Sequence, residues 1–238
     1  EPYPTPKGAE MFDFSLDNGL SIAVIEPLKS YRLQYKGTNA YTAGGCELDL
    51  TFTAPDIPHD AGFPGGLDEW GKGHYDQHGR MQGTLRLGEE VIPVDCVAQR
   101  DHSWGIRKME GNPRGQMIWA TGEHSAFHAL AVSRLPMDQD PVIGTAEQVI
   151  IGYYYKDGAY GDLKPGSGTI KVTERDASGR PVEYLMEVTD SLGRELVARG
   201  RVRNMLNWQG YSWLMTFWSL VEWTFDGQTA WGEGQDYW

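Results

Sequence analysis

The feature that most constrains the fold of this chain is a series of short alternating or β-branched runs separated by turn residues. These runs recur along almost all of the 238 residues, and no long segment has the three- and four-residue apolar spacing of a helix. Turn residues cluster at 17–19, 157–158, 177–180 and 226–227. Many short strands at even spacing are typical of β-barrels and sandwiches, so the sequence predicts an all-β fold.

The predicted strands cover residues 21–25, 31–35, 46–53, 80–87, 91–100, 116–121, 126–133, 148–155, 168–174, 182–189, 195–204, 211–224 and 229–237. Residues 54–73 interrupt them with three prolines and five glycines, which is typical of a linker or a lid. We therefore predict two domains, 1–72 and 73–238. The first has too few strands for a complete domain, and the chain does not begin with Met. We expect an N-terminal segment or a second chain to complete it.

The charge of the chain restricts its partners. The formal net charge is −12, so the basic footprint of a nucleic-acid-binding protein is absent and binding to an anionic membrane is not expected. No apolar run is long enough for stable membrane insertion, and no signal peptide is visible. Cys46 and Cys96 lie in apolar strand-like runs and are predicted to be buried, reduced thiols, which favours a cytoplasmic location.

One hairpin can be read in register. Leu87 to Glu90 fits a two-residue loop with Gly88 in the first central position, as in a type II′ turn. That register places Met81 opposite Cys96 and gives the hairpin one consistently apolar face, whereas a slip by one residue would not.

The same register predicts how the polar ends of the two strands meet. It pairs Tyr75 with His102, with Trp104 on the same side. The opposite face receives His74, Asp76, His78 and Asp101. A bulge at Gly79 would exchange the faces locally. Acid–base groups beside large aromatic rings at a strand end are typical of a barrel mouth or an interdomain cleft.

The two strand ends carry a family resemblance. Gly73-His74-Tyr75-Asp76-Gln77-His78-Gly79-Arg80, the hairpin, and Arg100-Asp101-His102-Ser103-Trp104-Gly105-Ile106-Arg107 resemble the carotenoid 1,2-hydratase (hydroxyneurosporene synthase) and AttH-like superfamily. The resemblance implies two lipocalin-like antiparallel β-barrels in tandem, the first incomplete in this chain. It also implies addition of water to an isolated isoprenoid alkene without a redox cofactor, although other relatives are cyclases. Asp101, His102 and Trp104 match the motif as acid–base and cavity residues.

The chemistry of alkene hydration suggests roles for these side chains. It requires a positioned acid, a base for water and aromatic faces that stabilise a carbocation. We predict the catalytic residues to be Asp101, His102, Asp76 and Tyr75. We predict the substrate-binding residues to be Trp104, His74, His78, Arg100, Trp119, His128 and Trp218. Glu222 and Glu233 are spare carboxylates, and either could be the acid instead.

Structural interpretations of the same residues remain open. Asp101 can form an ion pair with Arg100 or Arg107 that fixes a strand end. His74, Asp76 and His78 could bind a metal with His102 or His124, but the spacing lacks the specificity of known metal motifs, so we predict no metal and no cofactor. The aromatic run from Trp208 to Trp231 can pack a core, line a ligand cavity, or do both if alternate residues face the lumen.

The sequence therefore predicts a cofactor-free hydratase, dehydratase or isomerase that acts on a hydrophobic terpenoid, steroid-like or polyene molecule. A non-catalytic carrier of a hydrophobic ligand and a pericyclic or cyclase-type enzyme are the alternatives.

Overall fold

The structure is a computed structural model that describes residues 13–38, 44–62, 72–105, 114–132, 146–211 and 214–237. Within these ranges the chain forms fifteen β-strands in two sheets and no helix, so none that could cross a membrane. The chain divides into two compact units: Glu1–Pro58 with Gln77–Arg100, and His59–Asp76 with Asp101–Trp238. The assignment of residues 1–72 and 73–238 to two successive barrels stays a prediction.

The first sheet is a six-stranded meander in sequence order. Its strands are β1 (Asp13–Ser15), β2 (Leu20–Glu26), β3 (Ser30–Thr38), β4 (Gly45–Thr53), β5 (Lys72–Leu87) and β6 (Glu90–Gly105). Alternation in β3 turns Tyr31 and Leu33 towards a small core with Phe52, while Arg32 on the other face pairs with Asp49.

The second sheet closes into a barrel. Its strands are β7 (Gly115–Thr121), β8 (Ser125–Val132), β9 (Glu147–Lys156), β10 (Ala159–Leu163), β11 (Gly168–Arg175), β12 (Pro181–Thr189), β13 (Glu195–Tyr211), β14 (Leu214–Phe225) and β15 (Gln228–Tyr237). Eight of them pair in the antiparallel order β9-β11-β12-β13-β14-β15-β7-β8, and β8 pairs back with β9. β10 forms a hairpin with β9. The predicted fold class, all-β with a lipocalin-like antiparallel barrel, is confirmed.

The interior of the barrel is a packed core. Alternate residues of the strands fill it, among them Ile118, Phe127, Tyr154, Val221 and Trp223, all fully buried. Side chains at the intervening positions must point outward. These core residues therefore occupy the lumen where they lie, and Trp119 and His128 stand at intervening positions on the outer face.

Every strand predicted from the sequence has a counterpart, and the Asp-Gly turns are confirmed. Asp157 and Gly158 have φ of 53° and 76°, and Asp226 and Gly227 have φ of 50° and 71°, as a type I′ hairpin turn requires. The short β1 and β10 were not predicted. β13 continues past its predicted end because a bulge at Arg203 reverses the inward–outward alternation.

The predicted hairpin register agrees with the observed side-chain contacts. His74 contacts Ser103 and Tyr75 contacts His102, and both pairs are opposed when the two-residue loop follows Leu87. The strand faces are therefore not exchanged near Gly79. Both cysteines are free as predicted, but the prediction that they are buried was wrong. Cys96 is exposed because the described strands leave its face of the sheet only partly covered.

Candidate active site

A hydrogen-bonded chain of four side chains joins the ends of β5 and β6 in the second unit. Asp76 Oδ2 lies 2.6 Å from His74 Nε2, and His74 Nδ1 lies 2.8 Å from Ser103 Oγ. Ser103 donates to Asp101 Oδ1 at 3.2 Å. The Asp76 side chain is 4% exposed and that of Asp101 55% exposed. The chain therefore connects a buried carboxyl group to one that solvent reaches.

The direction of these hydrogen bonds fixes where a proton resides. A carboxylate oxygen only accepts, so the Ser103 hydroxyl hydrogen points to Asp101. Ser103 Oγ then accepts from His74 Nδ1–H. A second proton can be shared between His74 Nε2 and Asp76. The hydrogen-bonded chain can thus pass a proton from Asp76 to Asp101 through an imidazole, the usual side chain for this task near neutral pH.

His128, on strand β8 of the barrel, lies beside this hydrogen-bonded chain of side chains. Its Nε2 lies 3.2 Å from Asp76 Oδ2, outside hydrogen-bond geometry, and the residue is buried. Burial lowers the pKa of His128, and the Asp76 carboxylate opposes that effect. His128 therefore contributes a neutral imidazole at pH 7.

Strand pairing extends the site in a straight row across the outer face of the barrel. Tyr153 lies opposite His128, His128 opposite Trp119, and Trp119 opposite Glu233. Leu220 follows on β14. Directly opposed residues share a face, and neighbouring strands lie about 4.8 Å apart. The predicted residues Trp119 and His128 are therefore adjacent on the wall that meets Asp76.

Glu233 is the carboxyl group of this row. Burial raises the pKa of Glu233, and the charge of Asp101 adds to that effect. Hydrogen bonds from Gln235, Trp218 and Trp119 oppose it. Gln235 Nε2 donates to Glu233 Oε1 at 2.7 Å. Trp218, predicted to bind substrate, is therefore a neighbour of this carboxyl group on the outer face.

Three predicted residues form a separate aromatic cluster on the other face of the same strand ends. The ring centroids of Tyr75, His102 and Trp104 lie 5.3–6.1 Å from one another. Successive strand residues point to opposite faces, so Tyr75 and His102 lie on the face opposite to Asp76 and Asp101, as the register predicted.

Two predicted residues belong to the unit that contains the six-stranded sheet. Arg100 places its guanidinium 4.2 Å from the centroid of the Tyr31 ring, a cation–π contact. His78 is buried, and desolvation lowers its pKa to about 4 against the opposing charge of Asp56. Arg107, the other predicted partner of Asp101, lies outside the described residues.

The nitrogen and oxygen atoms of this hydrogen-bonded chain could also act as ligands for a cation. Ligand atoms of His74, Asp76 and Asp101 all lie within 4.8 Å of one another. The arrangement differs from the sequence hypothesis, which used His78 with His102 or His124. His102 lies on the other strand face, and His124 is exposed beside Glu123. Both nitrogens of His74 already face hydrogen-bond partners, so the geometry favours proton transfer.

Sequence reasoning missed Ser103, which joins the two halves of the chain. The hairpin register could have identified it, because the same pairing that opposes Tyr75 to His102 opposes His74 to Ser103.

Comparison with known proteins defines the relationships of this chain. A family model described as a domain of unknown function (DUF7064) matches residues 2–235. No curated protein matches the sequence. The crystal structure of kievitone hydratase from Nectria haematococca superposes with a TM-score of 0.52 at 12% identity, covering 94% of this chain and 69% of that chain. The crystal structure of CghA gives a TM-score of 0.45 at 11% identity, covering 94% and 78%. At such identity the likeness to kievitone hydratase shows a shared fold alone.

Proposed function

We propose that this chain, which belongs to the family described as a domain of unknown function (DUF7064), is a cofactor-free acid–base enzyme. It hydrates, dehydrates or isomerises a hydrophobic small molecule. The observation that carries this proposal is the chain Asp76–His74–Ser103–Asp101, which joins a buried carboxyl group to an exposed one through an imidazole. The fold shared with kievitone hydratase supports a reaction of this class.

The chain of hydrogen bonds performs the base half of a hydration. As water adds to a cationic carbon, its proton passes to the Asp101 carboxylate, the exposed end of the chain. Ser103 and His74 hold that carboxylate in place, because Ser103 donates to Asp101 and His74 donates to Ser103. Dehydration is the same sequence in reverse. General acid–base catalysis of this kind contributes about 10²–10⁴-fold to a rate.

The wall beside the chain is suited to an apolar substrate. Trp119 lies opposite His128 on the outer face of the barrel, and Trp218 lies near Glu233. Indole faces attract cationic carbon, with a contribution of about 1–2 kcal/mol when the contact is dry. The substrate class proposed is the one predicted from the sequence, a terpenoid, steroid-like or polyene molecule.

Isotope incorporation tests the proposal. The purified protein is incubated in H₂¹⁸O with a panel of apolar alkenes, the corresponding tertiary alcohols and kievitone, and the products are analysed by mass spectrometry. We expect ¹⁸O in one product, and at least 100-fold slower incorporation in D101N. D95N is the matched control, because Asp95 lies on the same strand with 53% exposure and is paired with Arg80.

The alternatives predict other results. A carrier would bind a panel member without incorporating ¹⁸O, and a cyclase would give isomeric product without ¹⁸O and with D101N as active as wild type. Equal incorporation by D101N and D95N would also contradict the proposal.

A further inference from the structure

The outer face of β13, β14 and β15 exposes a group of large apolar side chains. They are Leu206, Trp208, Trp218, Leu220 and Trp231, each more than a third exposed. Strand pairing puts them on one face, since Leu206 opposes Trp218 and Trp231 opposes Glu222 on that same side. We call this group the apolar platform. Exposed aromatic residues in one contiguous patch on a protein surface mark a binding site more often than single exposed residues do.

A carboxyl group lies within this platform. Glu233 is directly opposite Leu220 on one side and Trp119 on the other, and the Trp218 indole lies close to it. Among the residues that the structure describes, no Lys, Arg or His forms an ion pair with Glu233. The other carboxylate on this face, Glu222, forms a salt bridge with Arg203. The two glutamates noted from the sequence are thus distinguished by their surroundings.

We propose that the apolar platform binds the hydrophobic part of the substrate and that Glu233 is the proton donor to it. The inference rests on the proposed acid–base function and names the acid that the Asp101 chain lacks. The occupant is an apolar small molecule with an alkene or a tertiary alcohol placed over Glu233.

Two observations favour a small molecule over a protein partner. The platform continues along one row, through Glu233 and Trp119 to His128, and so reaches the Asp76 chain. A half-buried carboxyl group among indoles matches a ligand with one polar or reactive point and an otherwise apolar surface. The raised pKa keeps a larger fraction of Glu233 protonated near neutral pH, as a proton donor requires.

The chemical step balances without a further reactant. The Glu233 carboxyl proton forms a C–H bond with one alkene carbon as the π bond breaks, which leaves a carbocation and the Glu233 carboxylate. Water forms the C–O bond and loses a proton to Asp101. A proton returns to Glu233 through solvent, and the sum is alkene plus water to alcohol.

Indole NMR tests the position of the acid without a substrate. In protein labelled with ¹⁵N-tryptophan, W119F and W218F assign the two indole N–H signals. We expect both signals to move with pH around one midpoint in wild type and in the matched control E222Q, and to stay fixed in E233Q. Signals that titrate alike in E233Q would overturn the assignment of Glu233.

Ligand binding and turnover test the platform. Nile red, a neutral apolar dye, should bind at least fivefold more weakly to W218S, whereas L192S, which removes an exposed apolar side chain elsewhere, should match wild type. Equal binding by both variants would overturn the platform.

Turnover separates this inference from the proposed function. E233Q should lower ¹⁸O incorporation at least 100-fold with E222Q close to wild type. If D101N is inactive but E233Q is fully active, the proposed function stands and Glu233 is not the acid. If wild type neither incorporates ¹⁸O nor dehydrates or isomerises any panel member, the proposed function and the role of Glu233 as donor both fail, and the dye result alone decides the platform.

Discussion

Individual histidines in this protein differ in environment more than in sequence context. His74 and His78 both lie on β5, four residues apart, yet His74 joins a proton-carrying chain while burial depresses the pKa of His78 to about 4. His128 is likewise buried, beside Asp76. The same residue type therefore serves as a proton carrier at one position and as a neutral buried group at the others.

The His78 environment predicts a pH-dependent stability. The folded-state pKa of about 4 lies below the unfolded value of 6.5, so the unfolded state binds the proton first as pH falls. The free energy of unfolding should fall between pH 6.5 and pH 4, by about 3 kcal/mol from this group. Urea denaturation across that range checks it: H78Q should flatten the profile, whereas H124Q, at an exposed position, should retain the wild-type slope. A slope unchanged in H78Q would contradict the assignment.

For individual residues, the sequence predicted which strand face a side chain lies on better than it predicted which distant residues that side chain contacts. The register placed His74, Asp76 and Asp101 on one face and Tyr75 with His102 on the other, because side-chain direction alternates along a strand. It could not show that Arg100 would stack on Tyr31, or that Asp76 would meet His128, since these contacts join segments far apart in sequence. Such partners are fixed by how strands pair in space, which the local pattern leaves open.

The element that positions the site is the β15–β7 pair, where Glu233 meets Trp119. This pairing is close at Gly232: a Cβ there would lie 1.9 Å from the Trp119 carbonyl oxygen and 2.7 Å from the Ala120 Cα. Both obstacles are backbone atoms, so side-chain rotation cannot relieve the contact. The row that carries Glu233 therefore requires glycine at the preceding position.

Substitution of Gly232 should force strands β15 and β7 apart at this position. G232A should lower the free energy of unfolding by about 3 kcal/mol, a cost typical of severe overpacking, and weaken Nile red binding by displacing the platform. G45A is the control, because its Cβ would meet nothing closer than 3.8 Å. Chemical denaturation of the two variants measures the difference, and equal stability would show that β15 and β7 are less closely paired than described.

Strand prediction succeeded where alternation was regular and failed where it was not. The Asp-Gly turns at 157–158 and 226–227 were recognised because type I′ turns favour those residues. β13 was ended too early, since the bulge at Arg203 turns Leu206 and Trp208 outward and breaks the period of two. The apolar platform depends on that bulge, so sequence alternation alone could not reveal it.

At the scale of the whole molecule, the closed barrel contains a buried ion pair between Arg175 and Asp236. Arg175 Nη1 lies 2.5 Å from Asp236 Oδ2, the two side chains are 8% and 3% exposed, and Gln116 also donates to Asp236. Charges removed from water are stable only when paired. This group therefore ties β7, β11 and β15 together across the barrel.

Breaking that pair should destabilise the whole barrel. D236N removes the Asp236 carboxylate from beside the buried Arg175 guanidinium, and the free energy of unfolding should fall by about 3–5 kcal/mol. The double variant R175M/D236L should recover much of the loss, because it removes both charges. Thermal and urea unfolding of the three proteins measure this, and a double variant no more stable than D236N would contradict the explanation by an uncompensated charge.

The general architecture followed from composition and alternation, whereas the location of the site did not. The sequence left the lumen open as a ligand wall, but core residues of the strands occupy it, and Trp119, His128 and Trp218 point outward. Which face becomes the core depends on closure of the barrel between β8 and β9, a pairing that no local pattern specifies.

The central claim is that His74 holds a proton between two carboxyl groups, and NMR of ¹⁵N-histidine-labelled protein tests it most directly. The account predicts a hydrogen-bonded His74 with a proton on Nδ1 and a second, strongly shifted proton shared with Asp76. D76N should abolish the shifted signal, whereas D95N should leave it intact. A His74 spectrum that is the same in wild type and D76N would contradict the account.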